Sequence, residues 1–221
     1  MAIREIALDT ETTGLSHANG DRMIEIGCVE IVDKVMTGVF FHTYLSTDKY
    51  ISKSAFNIHG ITNNFLKNKP SFHEVAKKLI DFIDTSKLVI HNARFDIGFL
   101  NNELSATPYS KISDNKVIDT LSLARRMYPG QSVSLDALCR KFSIDLEKRN
   151  KHGALIDSEL LALVYIEMTR AKQAQMDLQD RVYEGVSVER KCQIIDRNFK
   201  LTRHEEDLHE KLIAKLNGAM W

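Results

Sequence analysis

Apolar residues along this chain first gather in short β-branched runs and then spread out to helical spacing. Ile6, Ala7 and Leu8 form a short buried strand within IREIALDTETTGL (3–15). Asn19, Gly20 and Asp21 in LSHANGDR mark a hairpin loop. MIEIGCVEIV (23–32) and VMTGVFFHTYL (35–45) read as two further strands, and three strands in succession predict an antiparallel meander on one side of a sheet. SKSAFNIHGIT (52–62) shows no regular period.

The pattern then changes. Phe72, Val75, Ala76, Leu79 and Ile83 recur at helical spacing in SFHEVAKKLIDFID (71–84), with Ser71 and Glu74 as a capping box. LVIH (88–91) is a short buried strand and FDIGFLNNEL (95–104) a helix behind it. VIDTLSLARRMY (117–128) runs from a strand end into a helix that Pro129 and Gly130 stop. SLDALCRKF (134–142) starts a short helix with Ser134 as N-cap. ALIDSELLALVYIEMTRAKQAQ (154–175) is a long helix with Leu160, Leu161, Val164 and Met168 on the face of Asp157. Strands first, then helices alternating with strands, predict a three-layer α/β domain ending near residue 172.

Composition narrows the class only a little. Hydrophobic residues at 43% and charged residues at 27% suit a globular protein. No run approaches the roughly 20 apolar residues of a membrane span, and the opening strand predicts no secretory leader. Cys28, Cys139 and Cys192 are few and scattered, which predicts a reducing, cytoplasmic setting without a zinc site. Lys and Arg balance Asp and Glu at 30 each, so a polyanionic substrate would need local help from cations or a partner.

Four acids and one histidine stand out. Asp9 and Glu11 follow the first strand and project to the same side, because strand side chains alternate. Two such neighbours repel, and burial adds to the cost, so a cation would be expected beside them. A solvated strand end would carry the same pair without one. Asp96 falls near the first turn of a helix, where an acid is commonly a cap. Asp157 sits on an apolar stripe, which requires either a hydrogen bond inside the core or a bound cation. His152, alone, reads as an exposed loop histidine.

Together these residues form L-D-T-E-T-T-G, H-N-A-x-F-D and H-x-x-x-x-D, in that order. The set resembles the DnaQ-like (DEDDh) 3′–5′ exonucleases, and within them the branch that proofreads for bacterial replicative polymerases. The resemblance covers Ile3 to about Arg170 and includes NIHGIT (57–62) and VIDTLSLAR (117–125). It implies an RNase H-like fold with a mixed five-stranded sheet flanked by helices. It implies Asp9, Glu11, Asp96 and Asp157 as metal ligands and His152 as general base. Thr10, Thr12, Gly14 and His59, with Asp9, Glu11 and Asp157, would contact the terminal nucleotide; Asp119 looks like a helix-start acid.

All-oxygen ligands select hard cations, two Mg²⁺ or Mn²⁺ ions about 3.5–4 Å apart. The implied substrate is a single-stranded or frayed DNA 3′ end, cut to 5′ mononucleotides, with no membrane partner. QAQMDL (173–178) resembles a sliding-clamp-binding peptide through Gln173, Met176 and Leu178, within a predicted linker over 173–180. Residues 181–221, with RHEEDLHEKLIAKL (203–216) and Trp221, resemble a helical or disordered tail that docks on the polymerase catalytic (α) subunit. The competing readings are a stand-alone RNA exonuclease of the RNase T or oligoribonuclease type and a non-catalytic clamp–polymerase adaptor.

Overall fold

The computed structural model describes residues 2–146, 152–184 and 203–215, with side chains of the long C-terminal-half helix described as far as Ala171. The three early strands form as the alternation requires: β1 (Arg4–Thr12), β2 (Met23–Val32) and β3 (Val35–Tyr44). Each pairs antiparallel with the next, and Gly20 in the left-handed region helps turn the chain between β1 and β2. β4 (Lys87–Ile90) and β5 (Val117–Asp119) add parallel strands, giving the order β3-β2-β1-β4-β5 in a mixed five-stranded sheet.

The sheet buries both faces, because β1 and its neighbours carry apolar residues at successive positions. On one face Ile6, Leu8, Ile26, Leu88 and Ile90 pack against α3 (Phe72–Ile83) and α4 (Ala93–Leu104). On the other, Ala7, Val29, Ile31 and Val89 meet Leu161, Ala162, Tyr165 and Ile166 of α7 (Ala154–Glu184). The apolar stripe of α7 therefore divides. Leu161 faces the sheet, while Leu160, Val164 and Met168 pack on α5 (Thr120–Met127) and α6 (Leu135–Lys141). The predicted caps are present: the Glu74 carboxylate accepts from the Ser71 N–H and hydroxyl at 2.7 Å, and the Ser134 hydroxyl accepts from the Ala137 N–H at 3.2 Å.

Two stretches differ from expectation. Residues 52–62 hold α1 (Lys53–His59), capped by Ser52, and α2 (Asn63–Leu66) follows, capped by Thr62. Their period was hidden because Phe56, Ile58 and Phe65 are exposed, so the apolar residues do not line one buried face. The long helix continues past residue 172 to Glu184, through the stretch predicted as a linker, since no Gly or Pro interrupts it before Gly185. A compact-unit boundary falls within it, between Asp177 and Leu178. In the second unit, α8 (Arg203–Lys215) exposes Leu208, Leu212 and Ile213.

Gly27 fixes how α7 meets the sheet. A Cβ there would lie 2.2 Å from the Ala154 carbonyl oxygen, so only glycine allows the helix to start this close to β2. The Ser158 hydroxyl donates to the Gly27 carbonyl at 2.9 Å and ties the two elements together. Gly27→Ala is expected to cost about 2–3 kcal/mol by forcing backbone apart, measured as a lower urea midpoint with the slope unchanged.

Candidate active site

The last residues of β1 divide between the two faces of the sheet. Asp9 and Glu11 follow Ala7 on the α7 face, and Thr10 follows Ile6 and Leu8 on the α4 face. Across β2, Asp9 pairs with Gly27 and Glu11 with Glu25. The space at Gly27 admits the first turn of α7, which carries Asp157 to the same strand end. Ligand atoms of Glu11, His152 and Asp157 all lie within 4.8 Å of one another. His152 Nδ1 is 3.0 Å from Asp157 Oδ2, and the Asp157 N–H donates to the Gly153 carbonyl at 2.9 Å.

Asp96 reaches this strand end from the opposite face. Asn92, in the left-handed region at φ 68°, turns the chain from β4 into α4 and sets Asp96 in the first helical turn. The Thr10 hydroxyl donates to Asp96 Oδ1 at 2.8 Å in a buried contact. Burial pushes the Asp96 carboxyl up to about 7, against the lowering effect of hydrogen bonds from Thr10 and from the N–H groups of Asp96 and Thr10. Thus Asp96 is more than a cap: it is a buried acid tied to Thr10, and neither it nor Asp9 belongs to the cluster of Glu11, His152 and Asp157. Asp119 is the helix-start acid predicted, accepting from the Leu121 N–H at 3.0 Å and the Ser122 hydroxyl at 2.7 Å.

Beside the acids is a cavity of about 250 Å³, and it includes Thr10, Glu11, Thr12, Gly14 and His59 among its walls. Asp9 and Asp157 are not among its lining residues. His59 Nδ1 accepts from the Ile61 N–H at 2.9 Å, which leaves the ring proton of neutral imidazole on Nε2. Leu15, Ile58 and Phe95 supply the apolar wall, and the sequence had singled out none of them. Gly14 has no room for a Cβ, which would fall 2.4 Å from Asp21 Oδ2.

The donor set suits a hard divalent cation. Carboxylates converge with one imidazole, and no cysteine takes part. A buried carboxyl as reluctant to ionise as Asp96 gains most from a neighbouring positive charge.

The exonuclease family profile (RNase_T) matches residues 6–165. The chain belongs to the DnaQ-like (DEDDh) exonuclease family. It is 45% identical to a protein named DNA polymerase III subunit epsilon from Rickettsia typhi, over 97% of each chain. It is 49% identical to the Escherichia coli protein of that name, over 75% of this chain and 71% of the relative. The nuclease domain of 3′hExo, a DEDDh family member bound to rAMP, superimposes with a TM-score of 0.65 at 19% identity, covering 76% and 92% of the two chains. This exonuclease therefore has the fold that the resemblance implied, and its family uses divalent metal ions.

Gly27 is a further position that sequence reasoning passed over, and a glycine in mid-strand was its one signal. Of the weaker candidates, Gln173, Met176 and Leu178 lie on α7 beyond its described side chains, and Trp221 lies outside the described residues. Among the described residues, no helix is long and apolar enough to cross a membrane.

Asp96 gives the metal-free exonuclease a pH signature. An unfolded Asp ionises near 4, whereas the folded one keeps its proton to about 7. Stability from this group is therefore present at low pH and lost as pH rises between those values. Asp96→Asn removes that loss, so its advantage over the unsubstituted protein in chelator is expected to grow from pH 4 to 7 in thermal midpoint. An advantage independent of pH rules Asp96 out as the source.

Proposed function

We infer that this exonuclease removes mispaired 3′-terminal deoxynucleotides for a replicative DNA polymerase, releasing them as 5′ mononucleotides. One observation carries the reading: Glu11 belongs both to the acid–imidazole cluster and to the wall of the cavity, so the reacting centre and the nucleotide pocket meet at one residue. The match to the Rickettsia typhi protein along 97% of the chain includes most of the segment after residue 172, which a stand-alone RNA nuclease would not need.

Asp9, Glu11, Asp96 and Asp157 would hold two divalent cations, Mg²⁺ or Mn²⁺, which supply neutralisation of the phosphate charge and a more acidic attacking water. His152 accepts the proton of that water as its oxygen attacks phosphorus. The Asp157 carboxylate at Nδ1 orients the ring and stabilises the imidazolium, so Nε2 takes the proton. The bond to the 3′ oxygen of the preceding nucleotide breaks, and that oxygen is protonated as it leaves.

Selectivity follows from the cavity. Leu15, Ile58 and Phe95 bury a base and sugar, and His59 Nε2–H and the Thr12 hydroxyl offer polar contacts. A base can enter only after leaving its duplex, and a mispaired terminus costs less to unstack. The pocket therefore favours errors without reading the wrong base.

Two partners extend the reading. The α8 helix, with exposed Leu208, Leu212 and Ile213, lies in the segment proposed to dock on the polymerase catalytic subunit together with Trp221. Gln173, Met176 and Leu178 would engage a sliding clamp.

His152→Ala is expected to lower kcat on single-stranded DNA by about 10²–10⁴-fold with KM nearly unchanged, and a chelator should abolish turnover until Mg²⁺ is restored. Steady-state kinetics on a 3′-labelled strand measure both; turnover within a few-fold of the unsubstituted enzyme removes His152 as base. Truncation after residue 180 should leave exonuclease activity intact and abolish co-elution with a polymerase catalytic subunit in gel filtration.

A further inference from the structure

A buried acid that the chemistry above does not use lies beside the site. Glu25, on β2, is 3% exposed and stands directly opposite Glu11 across the β1–β2 pair. Opposed residues in a sheet share a face, so two cross-strand rows run from the site to the edge of the sheet. Asp9, Gly27 and His42 form one row, and Glu11, Glu25 and Tyr44 form the other. Opposed Cβ atoms stand about 4.5–5.5 Å apart, within the swing of a glutamate side chain. Glu25 is also close to the segment that carries His152: a Cβ on Gly153 would fall 4.0 Å from Glu25 Oε1.

Despite this closeness, Glu25 is not part of the cluster of Glu11, His152 and Asp157. Its carboxylate is held from the β3 side instead. His42 Nε2 lies 2.7 Å from Glu25 Oε1. The Tyr44 hydroxyl meets the same group; burial first, and then the charge of Glu25 and a hydrogen bond to it, push the phenol up. His42 and Tyr44 brace each other edge-on at 5.0 Å, and Tyr44 rests edge-on against Phe65 of α2 at 4.8 Å. Burying one carboxylate opposite another is unfavourable. The two β3 side chains offset part of that cost and fix where the carboxylate points.

We propose that His42 and Tyr44 hold Glu25 out of the metal site. A carboxylate is a hard ligand, the same in kind as those of Asp9, Glu11, Asp96 and Asp157. Released from β3, Glu25 would compete for the coordination positions that the attacking water and the phosphodiester need. His42 and Tyr44 are thus positioning residues, which bear on the reaction only through Glu25. The proposal rests on the reading of the four acids as holders of two cations.

The test compares the unsubstituted full chain, His42→Ala with Tyr44→Phe, and the same pair with Glu25→Gln added. Glutamine keeps the shape of glutamate and loses the charge that favours a hard cation. Calorimetry reads Mn²⁺ binding without DNA, and a 3′-labelled single strand reads kcat at saturating Mn²⁺. The double variant is expected to bind Mn²⁺ about tenfold more tightly and to turn over about tenfold more slowly. Adding Glu25→Gln should return both values to within a few-fold of the unsubstituted enzyme. A merely loosened fold would weaken Mn²⁺ binding and would not be rescued by a third substitution. An Mn²⁺ affinity that does not rise, or a kcat that Glu25→Gln fails to restore, overturns the proposal. Tyr44→Phe alone, which removes one oxygen and keeps the ring, makes the same comparison should the double variant fail to fold. If the unsubstituted protein binds no Mn²⁺, the two-cation reading itself fails and takes this inference with it.

Discussion

A helix can begin against a strand pair at van der Waals range only where the strand offers no side chain, and Gly27 is that position. The first turn of α7 occupies the space, held by the Ser158 hydroxyl on the Gly27 carbonyl. Asp157 precedes Ser158 and is thereby set beside Glu11, with His152 attached through its ring nitrogen. Gly27 itself pairs with Asp9 across the strands. One missing side chain thus brings Glu11 and the C-terminal acid–histidine pair to one point.

That arrangement carries an electrostatic cost. Asp96 is buried on the α4 side and Asp157 on the α7 side, with Asp9 and Glu11 at the strand end between them. Desolvation raises the Asp96 carboxyl to about 7, and hydrogen bonds from Thr10 offset only part of it. Burial, more than like charge, makes up that cost. A buried carboxyl perturbed in this way is characteristic of functional sites.

A different kind of surface lies beside the acids. The acids sit beside a pocket whose apolar wall comes from α1, from the turn after β1 and from the start of α4. Leu15 stands exposed where two cavities meet, and the rings of Phe95, Phe99 and His17 continue beyond it.

By itself the sequence determined the strands, most helices and the caps at Ser71 and Ser134, and it singled out the acids and histidine proposed to carry the chemistry. Those features are local: a period of two or 3.6, a hydroxyl before a helix, an acid on an apolar stripe. Helix α1 escaped notice because Phe56 and Ile58 face outward, and Ile58 lines the cavity instead of the core. The tie between Thr10 and Asp96 and the nearness of Glu11 to Asp157 span 86 and 146 positions, and no local pattern encodes either. Only the tertiary structure decided that Leu15, Ile58 and Phe95 share a wall, and that Gly27 is space for a helix. Packing joins segments distant in the chain, and the fit between two surfaces depends on both.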